Sequence, residues 1–145
     1  PINGDDVKLL REMLCVNEMG NGIKGGKLTS LDLSEASIVA GGDAYYKFNT
    51  ISYTSNNTIG KNFFIKCSKL TSIVLPKNIT SIEGNAFHSA TSLTSIVVPD
   101  SVTSIDYFAF YNCKNLNSIK IGEGVTLIDQ SAFSKCTSFF KMNHH

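Results

Sequence analysis

The sequence predicts an α/β fold: a right-handed solenoid of short parallel strands and short helical turns, closed at its N-terminal end by a capping helix. Three observations predict it. Apolar residues return in register at a step of 23 residues. Each returning unit opens on an alternating segment of strand period and later carries a small-aromatic pair one helical turn wide. A helix-patterned stretch and a cluster of glycines precede the first unit.

In chain order, residues 1–27 are predicted to be the cap. Residues 5–19 read as a helix, with Gly4, Asp5 and Asp6 supplying a cap and early negative charge. Val7, Leu10, Met13 and Leu14 form its apolar stripe, and Gly20, Gly22, Gly25 and Gly26 end it. Residues 28–57 are a first coil with an insertion. Leu28-Thr29-Ser30-Leu31-Asp32-Leu33 predicts a strand near 30–33. The next copy opens at Leu70, 19 residues later than the period requires. The surplus lies between Ser34 and Asn57 and carries Gly41-Gly42-Asp43, Tyr45, Tyr46, Phe48 and Tyr53. Two readings stay open: the aromatics pack down as a lid, or they present a binding surface.

Residues 58–141 are the regular array, with a tail at 142–145, and the whole chain is one domain. Leu70-Thr71-Ser72-Ile73-Val74-Leu75-Pro76 returns as Leu93-Thr94-Ser95-Ile96-Val97-Val98-Pro99 and again as Leu116-Asn117-Ser118-Ile119-Lys120-Ile121-Gly122. Further columns are Ile59, Ile82, Ile105 and Ile128; Phe64, Phe87, Phe110 and Phe133; and Cys67, Ala90, Cys113 and Cys136. Three in-register parallel strands are expected near 72–75, 95–98 and 118–121, with residues 73, 96 and 119 stacked. Ile96 and Val98 point inward, Ser95 and Val97 outward, and Pro99 ends the strand because it lacks a ladder donor. Val102 and Ile105 turn inward from a second extended piece. Ala109, Phe110 and Cys113 suggest one face of a helical turn. A single coil cannot bury its own apolar side, so coils must stack about 4.8 Å apart. A period of this length with L-x-x-[LI]-x-[LI] lies in the leucine-rich-repeat range.

The unit L-T-S-I-x-[LV]-P-x-x-[VI]-T-S-I-x-x-x-A-F-x-x-C resembles the BspA-like leucine-rich repeats of bacterial surface proteins over roughly 58–141. The stretches 6–13, 28–34 and 38–43 resemble the N-terminal cap preceding such arrays. Ala90 replaces the cysteine, Gly122 the proline and Phe139 the leucine. The resemblance implies an extracellular or cell-surface protein used in adhesion or protein interaction, with its signal or anchor outside these residues. It implies no catalytic residues.

Composition sharpens this. Charged residues make up 17% and the formal net charge is +1, against about 25% charged in ordinary soluble domains. Such a balance gives no field to attract nucleic acid or anionic membrane. No apolar run approaches the roughly 20 residues of a membrane span. His88 falls at an outward position, away from the cysteine column, so no nucleophile–base pair is expected. Glu83, Asp106 and Asp129 form an acidic column, read as a turn ladder in preference to a calcium site. No metal, cofactor or enzymatic activity is expected. All four cysteines are expected to be free. Cys113 and Cys136 are near neighbours whose parallel side chains lack the torsion for a bridge, and Cys15 is far from Cys67 in sequence.

The expected partner is a protein, such as a host matrix or cell-surface protein. It would meet the outward row Ser72, Val74, Ser95, Val97, Ser118 and Lys120. The alternatives are a glycan, stacked on Tyr45, Tyr46, Tyr53, Tyr107, Phe108 or Tyr111, and a spacer that presents another domain. Phe139 and Met142 begin a further coil, which predicts an incompletely covered last coil and either disorder after about Met142 or weak end-to-end self-association.

Overall fold

A computed structural model describes residues 1–15 and 28–138. Helix α1 (Gly4–Leu14) has Asn3 as its N-cap, with Gly4 already inside the helix and Asp5 and Asp6 in the first turn as expected. The Asn3 side chain accepts from the Asp5 and Asp6 amides at 2.9 and 3.4 Å, and Asp6 accepts from the Asn3 amide at 2.9 Å. This is a reciprocal capping box with aspartate in the glutamate position. The helix ends at Leu14 with Cys15 extended, short of the predicted end at residue 19, and residues 16–19 lie outside the described residues. Val7 and Leu14 are fully buried while Met13 is exposed, so the stripe is narrower than predicted.

Each coil contributes two strands. A front row comprises β1 (Ser30–Asp32), β3 (Ser72–Val74), β5 (Ser95–Val98) and β7 (Ser118–Ile121). A second row comprises β2 (Thr58–Ile59), β4 (Ser81–Ile82), β6 (Ser104–Ile105) and β8 (Leu127–Ile128). All pairings among these eight strands are parallel. The second row is one four-stranded sheet, with Ile59, Ile82, Ile105 and Ile128 in register. In the front row Leu31 pairs with Ile73 and Ile96 with Ile119, but no ladder joins β3 to β5. The burial alternation in β5 is as predicted, Ile96 and Val98 in, Ser95 and Val97 out.

The connecting turns differ from the helical turn expected of them. Asn62, Lys66, Asn85, Ser89, Phe108, Asn112 and Lys135 have φ between +53° and +62°. A left-handed residue every fourth position interrupts any helix. The backbone then alternates its donors. Ala86, His88 and Ala90 bond three residues back within their own coil, while Phe87 and Ser89 donate to Ala109 and Tyr111 of the next coil. The same rungs run from Phe64 to Ala86 and from Phe110 to Ala132. Beside the strands the donors face the other way: Thr94 donates to Thr71, Thr103 to Thr80 and Thr126 to Thr103 of the preceding coil.

Side chains add to this stitching. The hydroxyls of Thr71, Thr80, Thr94, Thr103 and Thr126 donate to carbonyls of the preceding coil at 2.9–3.4 Å. Ser101 donates to Lys77 and Ile79 carbonyls at 2.8 and 2.6 Å. These columns account for the hydroxyl-rich, charge-poor composition: a short uncharged donor reaches one coil back without desolvating a charge.

Inside, Phe64, Phe87, Phe110 and Phe133 form a continuous stack with centroid spacings of 5.4, 5.1 and 5.1 Å. The last two pairs lie within 3° of parallel. Burying one such ring stabilises by about 1.5–3 kcal/mol. Cover thins toward the last described coil. Ile128 is 45% exposed where Ile59, Ile82 and Ile105 are fully buried. The further coil expected from Phe139 and Met142 lies outside the described residues.

The cysteines depart from expectation. Cys15 and Cys67 form a disulfide, 52 residues apart in sequence with Cα atoms 4.1 Å apart. Chain distance was the wrong measure: a cap lying over the first coil carries its C-terminal residue to the coil's buried column. Arg11 strengthens the seat, donating to the carbonyls of Asn62, Phe63 and Ile65 at 3.0–3.4 Å. Cys113 and Cys136 are free and buried, and their thiols donate to the Phe87 and Phe110 carbonyls. The neighbouring Cys136 side chain and then burial raise the Cys113 thiol above its ordinary pKa.

Candidate functional site

The front row presents the six residues read from the sequence as its outward set: Ser72, Val74, Ser95, Val97, Ser118 and Lys120 are all exposed. Val74 and Val97 are 51% and 59% exposed, an unusual state for two neighbouring valines on one face. The broken ladder lies between them. Thr94 still donates to Thr71 at 3.3 Å, and beyond that point β3 and β5 part. A cleft of about 460 Å³ opens there, lined by the buried Ile73, Leu75 and Ile96 and the exposed Val74 and Val97. Ser72, Ser95 and Lys77 supply its polar groups. Clefts of a few hundred Å³ with apolar walls and few polar groups are the usual form of a binding site.

The insertion mostly packs down. Tyr45 is only 5% exposed, its hydroxyl donates to the Lys61 carbonyl at 2.7 Å, and its ring lies 5.3 Å from Phe63. Burial pushes the Tyr45 phenol well above its ordinary pKa. Its ring is therefore no part of an exposed surface. Tyr46 is half-buried beneath the Arg11 guanidinium, 5.3 Å from its ring centre. Tyr45 thus packs down on the first coil, and Tyr46 meets Arg11 of the cap helix. Tyr53 remains exposed, as do Phe48 and Ile51.

Tyr107, Phe108 and Tyr111 meet at one corner of the 93–115 coil. Phe108 is edge-on to both tyrosines, at 6.2 and 5.1 Å. Tyr111 stacks on His88 at 4.7 Å and is overlaid by the Lys135 ammonium at 5.3 Å. Hydrogen bonding to Tyr111 raises the Lys135 pKa. The Tyr107 ring lies flat on Gly84, so close that any Cβ there would collide with it. Phe108 has φ +53° at a column where the two earlier coils place Asn62 and Asn85. Asparagine tolerates that conformation, whereas phenylalanine adopts it at a cost of about 1–2 kcal/mol. The sequence places these three aromatics outside the core columns, but their meeting at one corner and the left-handed backbone of Phe108 show only in the structure.

The acidic column acts within the turns. Glu83 accepts from the Lys61 amide at 3.1 Å, and Asp129 accepts from both the amide and the hydroxyl of Ser131. The hydroxyl bond, then the amide bond, lowers the Asp129 pKa. His88 is half-buried against Tyr111 and bonds the Ser89 hydroxyl at 3.0 Å. Among the described residues no three metal-binding side chains converge, and no helix is long and apolar enough to cross a membrane.

Stacked parallel strands, an aromatic spine and one N-terminal helix define a leucine-rich-repeat protein whose cap and first coil are joined covalently. Residues 57–144 match the BspA type leucine rich repeat region in six copies, more than half of the chain, and the protein belongs to that family. No curated protein and no solved structure matches the chain.

Proposed function

We propose that this chain is a non-enzymatic protein-interaction module, displayed on a bacterial surface or secreted, that grips its partner through the front row of strands. The parting of β3 and β5 carries this reading. It converts a row of outward side chains into an apolar cleft edged by hydroxyls and one ammonium. An apolar side chain of a partner entering between Val74 and Val97 would be held on both sides. Such buried anchors dominate interface energetics. The Cys15–Cys67 disulfide supports a location outside the cytoplasm, where disulfides persist. Host matrix and cell-surface proteins are the partner class this implies.

The test is binding of the purified protein to a panel of purified host matrix and cell-surface proteins, compared with Val97→Asp. The expected result is saturable binding to at least one panel member, weakened about tenfold or more by the substitution, with thermal stability unchanged. Binding to none above background, or binding indifferent to Val97→Asp, would remove the reading.

A further inference from the structure

The corner formed by Tyr107 and Phe108 is a second feature, on the turns and not on the strand rows. Three departures from the repeat coincide there. Gly84 is followed one coil later by Tyr107, whose ring lies flat across that glycine. Asn85 is followed by Phe108, which keeps the left-handed backbone of the asparagines before it. The third departure is in the rungs. The amides of Asn62 and Asn85 donate to the carbonyls of Gly84 and Tyr107 in the next coil, whereas the Phe108 amide donates to the Ser131 hydroxyl at 3.3 Å. That hydroxyl donates in turn to Asp129. A hydrogen-bonded chain from Asp129 through Ser131 thus holds Phe108 in a conformation its side chain disfavours.

The result is two aromatic rings standing 83° apart with centroids 6.2 Å from each other, both about 40% exposed. By register, the uncharged amides of Asn85 and Gln130 lie on the coils either side. We propose that this corner is a carbohydrate-binding site that takes a pyranose unit. One face of a pyranose offers C–H bonds, whose positive ends are drawn to the negative face of an aromatic ring. Its hydroxyls project around the rim, where amides donate and accept. A protein partner fits poorly, since stable protein contacts bury about 800 Å² per side and the rings of Tyr107, Phe108 and Tyr111 with the flanking amides offer the footprint of one or two sugars. The backbone strain at Phe108 is then a condition of function, because it presents the ring already in place.

The test is amide-resolved NMR titration of the whole chain with three probes: lactose, the chitin trimer and sialyllactose, each to about 50 mM, a ceiling set for affinities on the order of 1 mM. At least one probe is expected to give saturable shifts centred on residues 107 and 108. Phe108→Asn restores the residue type of the two preceding coils and should fold at least as well, and it should weaken binding about tenfold or more. Val97→Asp should leave sugar binding unchanged, so failure at the strand cleft and failure here are read separately. No saturable shift with any probe, shifts centred elsewhere, or binding that survives Phe108→Asn would overturn the proposal.

Discussion

The two long faces of this solenoid carry the same repeat and behave differently. On the turn side, rungs join every described coil to the next, the phenylalanines stack without a gap and the second row is a single sheet. On the front side, two pairs of strands are separated by a cleft. Continuity on one face therefore holds the coils in register where the other face opens. A repeat protein can part its strands locally without losing its stack, provided the opposite wall is stitched.

The comparison is broken most severely by attacking the stitched wall. Phe110→Ala should destabilise by about 3–5 kcal/mol, because it leaves a cavity between Phe87 and Phe133. Urea denaturation of the variant beside Tyr111→Ala checks this, and equal small losses would mean the spine carries no more load than the surface. The next largest effect is expected at the cap. Cys15→Ser, or reduction of the wild type, should lower stability by about 2–4 kcal/mol by freeing the covalent loop. Thermal melts with and without reductant report it, and Cys15→Ser should be insensitive to reductant.

Arg11→Ala should lose about 1–3 kcal/mol, since three carbonyls would give up a charged donor. The measurement is a melt of the oxidised protein, in which the disulfide still holds the cap. The smallest effect belongs to the open face: Val97→Ala should change stability by less than about 0.5 kcal/mol. Hydrogen exchange sharpens the contrast. Alternate amides of β5, those turned toward β3, should exchange faster than the rung amides of Phe87 and Phe110. Uniform protection across β5 would mean the cleft closes in solution.

Most of the architecture is legible because each column is a repeated measurement. Ile82 or Phe87 alone says little, but four residues at one spacing identify an inward position. What escaped the sequence lies outside the columns or in the backbone. The aspartates at the start of α1 are legible as cap residues, while the N-cap role of Asn3 is not. Cys15 belongs to no column, so its partner depended on where the cap sits. The parting of β3 and β5 is hidden because Ser72–Val74 and Ser95–Val98 carry nearly the same pattern. Of the insertion's three tyrosines only Tyr53 is exposed; Tyr45 packs on Phe63 of the first coil and Tyr46 lies under Arg11 of the cap. The left-handed Phe108 breaks a preference that only φ reveals.

The opposed directions of the inter-coil hydrogen bonds have an electrical consequence. Turn rungs point their N–H groups toward the following coil, while most bonds beside the strands, Leu33 to Val74 excepted, point theirs toward the preceding one. An α-helix aligns its peptide dipoles and accumulates about half a charge at each end. Here the contributions of the two walls largely cancel along the stacking axis, as in sheets generally. Adding coils therefore builds no axial field, and an array of this kind grows longer without its ends becoming more strongly polarised.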